Sequence, residues 1–184
     1  MTTLAGIDRP ATVDIVATVA SVDHVESPIT GARGAVVQIE LFESHQLSTS
    51  QHRELLIATS GNFVDAPEET LLGVAVLGDS LLLSAERAAQ VSVRARACTI
   101  TFPAATARRR LARLPPDLGP LFRQPEGRGQ LWFREVILAH GDRVRLRAVV
   151  VPCARVVATE YRSAAAGGFE ARDDLGAVVL DRVD

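Results

Sequence analysis

Lysine is absent: all 20 basic residues of this 184-residue chain are arginine. No amine side chain exists to form a Schiff base or serve as a lysine general base, so those chemistries are excluded. Such a composition is also what a high-GC bacterial genome favours. Cysteine is scarce, with Cys98 and Cys153 each inside an apolar segment. Two are too few for a disulfide framework and read as buried free thiols in a reducing cytosol, with a disulfide or a reactive thiol as the alternative. Long apolar runs are missing as well. The longest, Leu71 to Gly78, falls far short of the roughly 18 to 20 residues that a membrane helix needs, so no span is expected. The N-terminal stretch carries Asp8 and Asp14 and lacks the basic start and apolar centre of a secretory signal, which points to a cytoplasmic location. Peripheral membrane association stays open.

What is present is a balanced globular composition: 47% hydrophobic, 23% charged, formal net charge -2. This excludes a uniformly basic nucleic-acid coat and an acidic disordered tail. A chain of this length buries about 70% of the surface its unfolded form exposes, enough for one substantial core without metal or disulfides.

Apolar residues recur mostly with period two, the mark of half-buried strands. Val13 to Asp23 reads as a first strand with Val13, Ile15, Ala17 and Val19 on one face. Glu26 to Gly34 (ESPITGARG) reads as a turn or hairpin loop, and Ala35 to Ser44 resumes the alternation. Arg53 to Thr59 is a third candidate strand, and Thr70 to Ala85 reads as a hairpin turning at Gly78-Asp79. Val91 to Phe102 is expected as one continuous strand, with Val91, Val93, Ala95 and Ala97 opposite Ser92, Arg94, Arg96 and Cys98. Ala104 to Leu114 (AATARRRLARL) consists of helix formers stopped by Pro115-Pro116, and a short helical piece follows at Asp117 to Arg123. Gln130 to Ala139 and Asp142 to Val151 form a further hairpin pattern in which Val144, Leu146 and Ala148 oppose Arg143, Arg145 and Arg147. Val156 to Tyr161 and Gly176 to Asp181 are short strand candidates, the latter in a loose C-terminal arm from about residue 162. The fold class is therefore mainly β: a barrel or a sandwich, of which the favoured reading is an OB-like or related closed β-barrel of about seven to nine strands with one short helical insertion at about 104–123. Sequential hairpins favour closure, since an open sheet would expose its edges.

Motifs for catalysis are weak. Gly73 to Ser80 has P-loop spacing, but Asp79 stands where the lysine must neutralise phosphates, so the segment reads as a turn. No dinucleotide fingerprint and no nucleophile elbow occurs. His24, His45, His52 and His140 form no metal-binding pattern and read as loop residues. The pairs Glu68-Glu69 and Asp173-Asp174 read as solvated. The expectation is a non-enzyme without cofactor or metal.

Charge segregation rises above this background. Residues 1–84 carry a net -8, residues 85–155 a net +9 and residues 156–184 a net -3. The candidate anion- or partner-binding residues are Arg94, Arg96, Arg108, Arg109, Arg110, Arg143, Arg145 and Arg147, because guanidinium forks suit phosphates and carboxylates bidentately. Two alternatives are that these arginines pair with acidic strands such as those bearing Glu40 and Glu43, or solvate one face of the barrel. Stacking aromatics within reach are Phe102, Phe122, Trp132 and Phe133, few for a single-strand binder.

Glu26-Ser27-Pro28-Ile29-Thr30-Gly31 leading into Ala35 to Glu40 resembles the "SP-x-x-G, then a strand" opening of the GIDE, or beside-a-membrane (BAM), domain. The segment Leu114 to Leu121, then Phe133-Arg134-Glu135-Val136-Ile137-Leu138 and Gly141-Asp142-Arg143-Val144, is similar to that family's "RE-x-x-L-x-x-GD-x-V". Val76 to Leu81 falls where members carry a strand, an acidic turn and another strand, so the resemblance covers about residues 13–152. It implies one mostly β domain over residues 1–184, core about 13–158, of a kind found in mitochondrial membrane-bound ubiquitin ligases and in many prokaryotic proteins. In the ligases a RING finger catalyses; two cysteines cannot supply its zinc ligands, so that activity does not carry over. The reading is a non-catalytic module for a protein partner or for self-association. The alternative is an OB-like nucleic-acid or anionic-ligand binder using the arginines above.

Overall fold

Residues alternating between apolar and polar bury one face as strands, and the structure, a computed structural model, consists mainly of them. It describes residues 4, 6–45, 68–86, 89–103, 106–125, 129–153 and 168–183. In chain order the strands are β1 (Ala11–Val19), β2 (Val25–Glu26), β3 (Arg33–Gly34), β4 (Val36–His45), β5 (Glu68–Leu77), β6 (Ser80–Ser84), β7 (Gln90–Arg94), β8 (Cys98–Thr101), β9 (Arg109–Leu111), β10 (Gln130–Leu138), β11 (Arg143–Cys153), β12 (Gly168–Ala171) and β13 (Val178–Arg182). The candidate strands at 53–59 and 156–161 lie outside the described residues.

Two compact units divide the chain. One comprises residues 1–38, 76–106 and 135–184, the other residues 39–75 and 107–134. The first holds a closed five-strand barrel in the circuit β1-β6-β7-β12-β11 and back to β1. In chain order these are the first, second, third, fifth and fourth barrel strands. The third and fifth run parallel while the other neighbours are antiparallel, so the barrel is OB-like. Its interior is filled by Val13, Ile15, Ala17 and Val19 of β1, Leu81 and Leu83 of β6, Val91 and Val93 of β7, and Val144, Leu146, Ala148 and Val150 of β11. Each fully buried Val or Leu contributes roughly 1.5–3 kcal/mol of transfer free energy.

The sequence pattern and the observed strands part company at several points. The continuous strand expected over 91–102 is interrupted by a 3-10 turn at Ala95–Ala97. That turn shifts the inward positions from odd to even numbers: Val91, Val93 and Ala95 are buried before it, Cys98 and Ile100 after it. β8 then pairs in parallel with β13, while Gln38 borders it through its side chain. The Gln38 amide donates from Nε2 to Ile100 O (2.8 Å) and accepts from Ile100 N (3.2 Å) at Oε1. This reproduces what a neighbouring strand would offer.

Both expected hairpins keep their turns but not their pairings. β5 joins a four-stranded sheet ordered β5-β4-β10-β9, whereas β6 enters the barrel. Gly78 between them sits at φ +108, and a Cβ there would lie 2.8 Å from Ala35 O. β10 and β11 separate in the same way. Their turn is closed by Asp142, whose N donates to Ala139 O (3.0 Å) and whose Oδ2 accepts from Ala139 N (2.8 Å). It bonds outward to the end of β1, Gly141 N to Val19 O and Val19 N to Asp142 O. The helix expected at 104–114 is not formed over its described residues: Arg109–Leu111 is a strand, and the helical content of the 104–123 insertion is a 3-10 helix at Pro116–Leu121. Local helix propensity is outweighed there by ladder pairing with β10. The described part of the C-terminal arm, residues 168–183, is not loose either. β12 and β13 lie in the barrel sheet and bury Phe169, Ala171, Val178 and Leu180.

In the second unit Ile39, Leu41, Phe42, Leu72, Ala75, Leu118, Phe122 and Phe133 are buried, along with Glu43. Glu43 Oε1 accepts from Gly129 N (3.1 Å), which fits the rule that a buried carboxylate needs donors.

Candidate functional site

The outward face of β11 carries Arg143, Arg145 and Arg147, as the alternation requires, all exposed. Register places Arg147 directly opposite Asp14 on β1 and Arg145 directly opposite Asp181 on β13. The bonds run along the diagonals instead. Arg145 donates from Nε and Nη2 to both Asp14 oxygens (2.6 Å each), and Arg147 Nη2 donates to Asp181 Oδ2 at 2.7 Å. Diagonal neighbours of this kind are within reach of long side chains. The hydrogen bond from Arg145 holds the Asp14 carboxyl below its ordinary pKa, against an opposing desolvation, and the same bond raises Arg145.

Other predicted arginines are also matched. Arg94 lies 3.5 Å from Glu170, Arg96 lies 3.5 Å from Asp79, and Arg108 pairs with Glu69. Arg96 further lines a cavity of about 630 Å3 whose other charged walls are Asp23, Glu26 and Asp79. Three carboxylates against one guanidinium make that hollow unsuited to an anion. Of the eight candidates, Arg109, Arg110 and Arg143 have no carboxylate partner among the described residues. Arg109 and Arg110 are exposed on β9, the terminal strand of the four-stranded sheet, and face Phe133 and Trp132 across the ladder with β10.

Sequence reasoning missed Phe42, which takes Arg108 at 4.3 Å and Arg134 at 5.8 Å over its ring. The available signal was an aromatic beside Leu41, on the face of the alternating segment that also carries Gln38, Glu40 and Ser44. Arg113, exposed just past β9, was read as part of a helix and is a further unmatched cation among the described residues.

The segments around Ser27 and Arg134 have local structural roles. Ser27 Oγ accepts from Ile29 N and Thr30 N at 3.2 Å each, and Gly31 takes φ +70 to close the loop. Thr30 Oγ1 donates to Glu135 Oε2 at 2.7 Å, linking the two segments. Arg134 pairs with Glu40 at 2.5 Å rather than with adjacent Glu135.

Cys98 is a free, buried thiol and Cys153 is half-buried. Burial raises the Cys98 pKa to about 11, and its Sγ donates to Ala95 O at 3.0 Å. That describes a packed, inert thiol. His24 and His140 are exposed, His52 lies outside the described residues, and no cluster of three metal-ligating side chains occurs among the described residues. Glu69 of the Glu68-Glu69 pair is bonded to Arg108 and Asp174 is bonded to Arg172, so both are parts of ion pairs.

No helix among the described residues is long and apolar enough to cross a membrane. No protein-family model, curated protein or solved structure matches the chain.

Proposed function

We propose that this chain is a non-catalytic, GIDE-like β-barrel protein of a bacterial cytosol that serves as a protein-binding or assembly module. The observation that carries this reading is a set of three exposed large apolar side chains in the second unit. Leu71, Val74 and Leu121 are 50%, 47% and 50% exposed. They flank one backbone contact, in which Arg123 N donates to Leu72 O (3.0 Å) and Leu121 O lies beside Gly73. Grouped exposed apolar side chains are what protein partners cover. The matched arginines of β7 and β11, by contrast, leave little uncompensated charge for a phosphate track.

A photoreactive residue in place of Val74 tests the reading in bacterial cells. The expected adduct is one recurring protein, resistant to nuclease, whose purified form binds the chain and loses binding on Leu121→Asp. Nuclease-sensitive adducts, or the same adducts from a probe at Arg143, would sink it. The alternative of an OB-like nucleic-acid or anionic-ligand binder draws on the barrel order and on Trp132 beside Arg110. It requires affinity for single-stranded DNA or RNA that falls steeply with salt.

A further inference from the structure

We infer that the outer edge of β9 is a docking edge for an extended, carboxylate-rich segment of a protein partner, which adds to the four-stranded sheet as a further strand. The inference rests on the assembly-module reading and names the chemistry of one partner segment.

β9 is last in the order β5-β4-β10-β9, with β10 on one side and no strand on the other among the described residues. In an antiparallel ladder alternate residues turn N–H and C=O away from the partner, so an edge strand keeps backbone donors and acceptors to offer. Arg109 and Arg110 lie on this edge and Arg113 just beyond it, all exposed and without a carboxylate among the described residues. Their cross-strand neighbours on β10 are aromatic and supply no compensating charge.

This combination selects its occupant. A second β9 would place arginines against arginines, and a neutral strand would leave them unmatched. A strand carrying Glu or Asp gains both main-chain bonds and charge-assisted hydrogen bonds. A nucleic acid could meet the guanidinium groups but has no peptide N–H and C=O to complete the ladder.

Trp132, directly opposite Arg110 and the only tryptophan of the chain, reports on the site by its fluorescence. The probe is a peptide of about eight alternating Glu and Val residues, long enough to cover an edge strand, titrated into the full chain at low salt. The peptide is expected to change Trp132 emission. The double variant Arg109→Glu/Arg110→Glu should weaken binding at least tenfold, and Arg110→Ala, which adds no repulsion, should weaken it severalfold with unchanged thermal unfolding. A peptide of equal charge, N-methylated at alternate backbone nitrogens, should bind at least tenfold more weakly. The inference is overturned by no binding at low salt, by equal binding of the N-methylated peptide, or by an oligonucleotide that binds more tightly and depends on the same arginines. If the peptide fails while the Val74 probe still captures its protein, the docking edge falls and the assembly reading stands. If that probe yields only nucleic acid, the assembly reading itself falls.

Discussion

On β11, Arg145 and Arg147 reach across to Asp14 and Asp181, whereas on β9 Arg109 and Arg110 stand opposite Phe133 and Trp132 and have no carboxylate partner among the described residues. The residue type is the same and the surroundings differ. β11 has neighbours along both sides, β1 on one and β13 followed by β12 on the other, so its outward side chains meet those of two strands. β9 has a single neighbour among the described residues. Neutralisation of a charged strand is therefore set by which strands flank it and in what register: uncompensated charge survives at the edge on β9, and at Arg143, which stands at the end of β11 opposite Thr18.

The comparison is sharpened most strongly by separating the two faces of β11. Leu146 is fully buried while its neighbour Arg145 points outward. Leu146→Ala should cost about 2–5 kcal/mol through lost burial and a residual cavity, read as a lower urea midpoint with an unchanged slope. Arg110→Ala on β9, which buries nothing, should stay within about 0.5 kcal/mol of the parent. Equal effects of the two would mean that β11 does not carry the core.

Much of this contrast could not be read along the chain. The inward faces of β1 and β11 were legible, because period-two alternation fixes which residues share a face and Val13, Ile15, Val144 and Leu146 are indeed buried. The OB-like barrel class followed from many short strands and turn signals. The turns at Gly78-Asp79 and Gly141-Asp142 were legible from their residue types. Which strands those turns would join was not, since a tight turn constrains only its own backbone while pairing is settled by distant segments. The parity change at Ala95–Ala97 leaves no mark, because Arg94, Ala95, Arg96, Ala97 and Cys98 continue the alternation with no Gly or Pro among them. Among the candidate arginines, the partner of Arg145 lies 131 positions away in the chain. A count of charges over a stretch of sequence cannot contain that pairing. The unmatched pair Arg109 and Arg110 stood in a segment read as a helix for its propensity alone.

A second, intermediate effect probes the hydrophobic core of the first unit by alkali, which the exposed arginines of β9 do not feel. Cys98 keeps its proton in the folded state up to a pKa of about 11, above the reference value of 9.0. Below pH 9 both states hold the proton and stability is unaffected. Between pH 9 and about 11 the unfolded chain releases it first, so stability falls as pH rises. Two units correspond to about 2–3 kcal/mol at most. The absence of lysine removes the ammonium groups that ordinarily titrate in this range. Urea midpoints measured from pH 8 to 11 should decline for the parent chain and decline less for Cys98→Ala. An identical slope in both would show that the thiol is not held in an apolar interior.

The smallest effect belongs to the matched pair itself. Asp14 is held below its reference pKa of 3.8 chiefly by the hydrogen bond from Arg145. A depressed carboxyl stabilises the fold above the unfolded value and loses that contribution as pH falls through the lowered folded value. Because both side chains are about half exposed, solvent and salt screen the interaction and the loss is slight. Thermal midpoints at low salt should therefore fall a little more steeply below pH 3.8 for the parent than for Asp14→Asn, and added salt should narrow that gap. Salt should act in the opposite sense on β9, where it screens repulsion among Arg109, Arg110 and Arg113 instead of an attraction. Arg110→Ala should then reduce the salt response of the chain while Arg145→Ala increases it. Responses of equal sign from the two variants would mean that the β9 arginines are matched after all, and the distinction between the two strands would be lost.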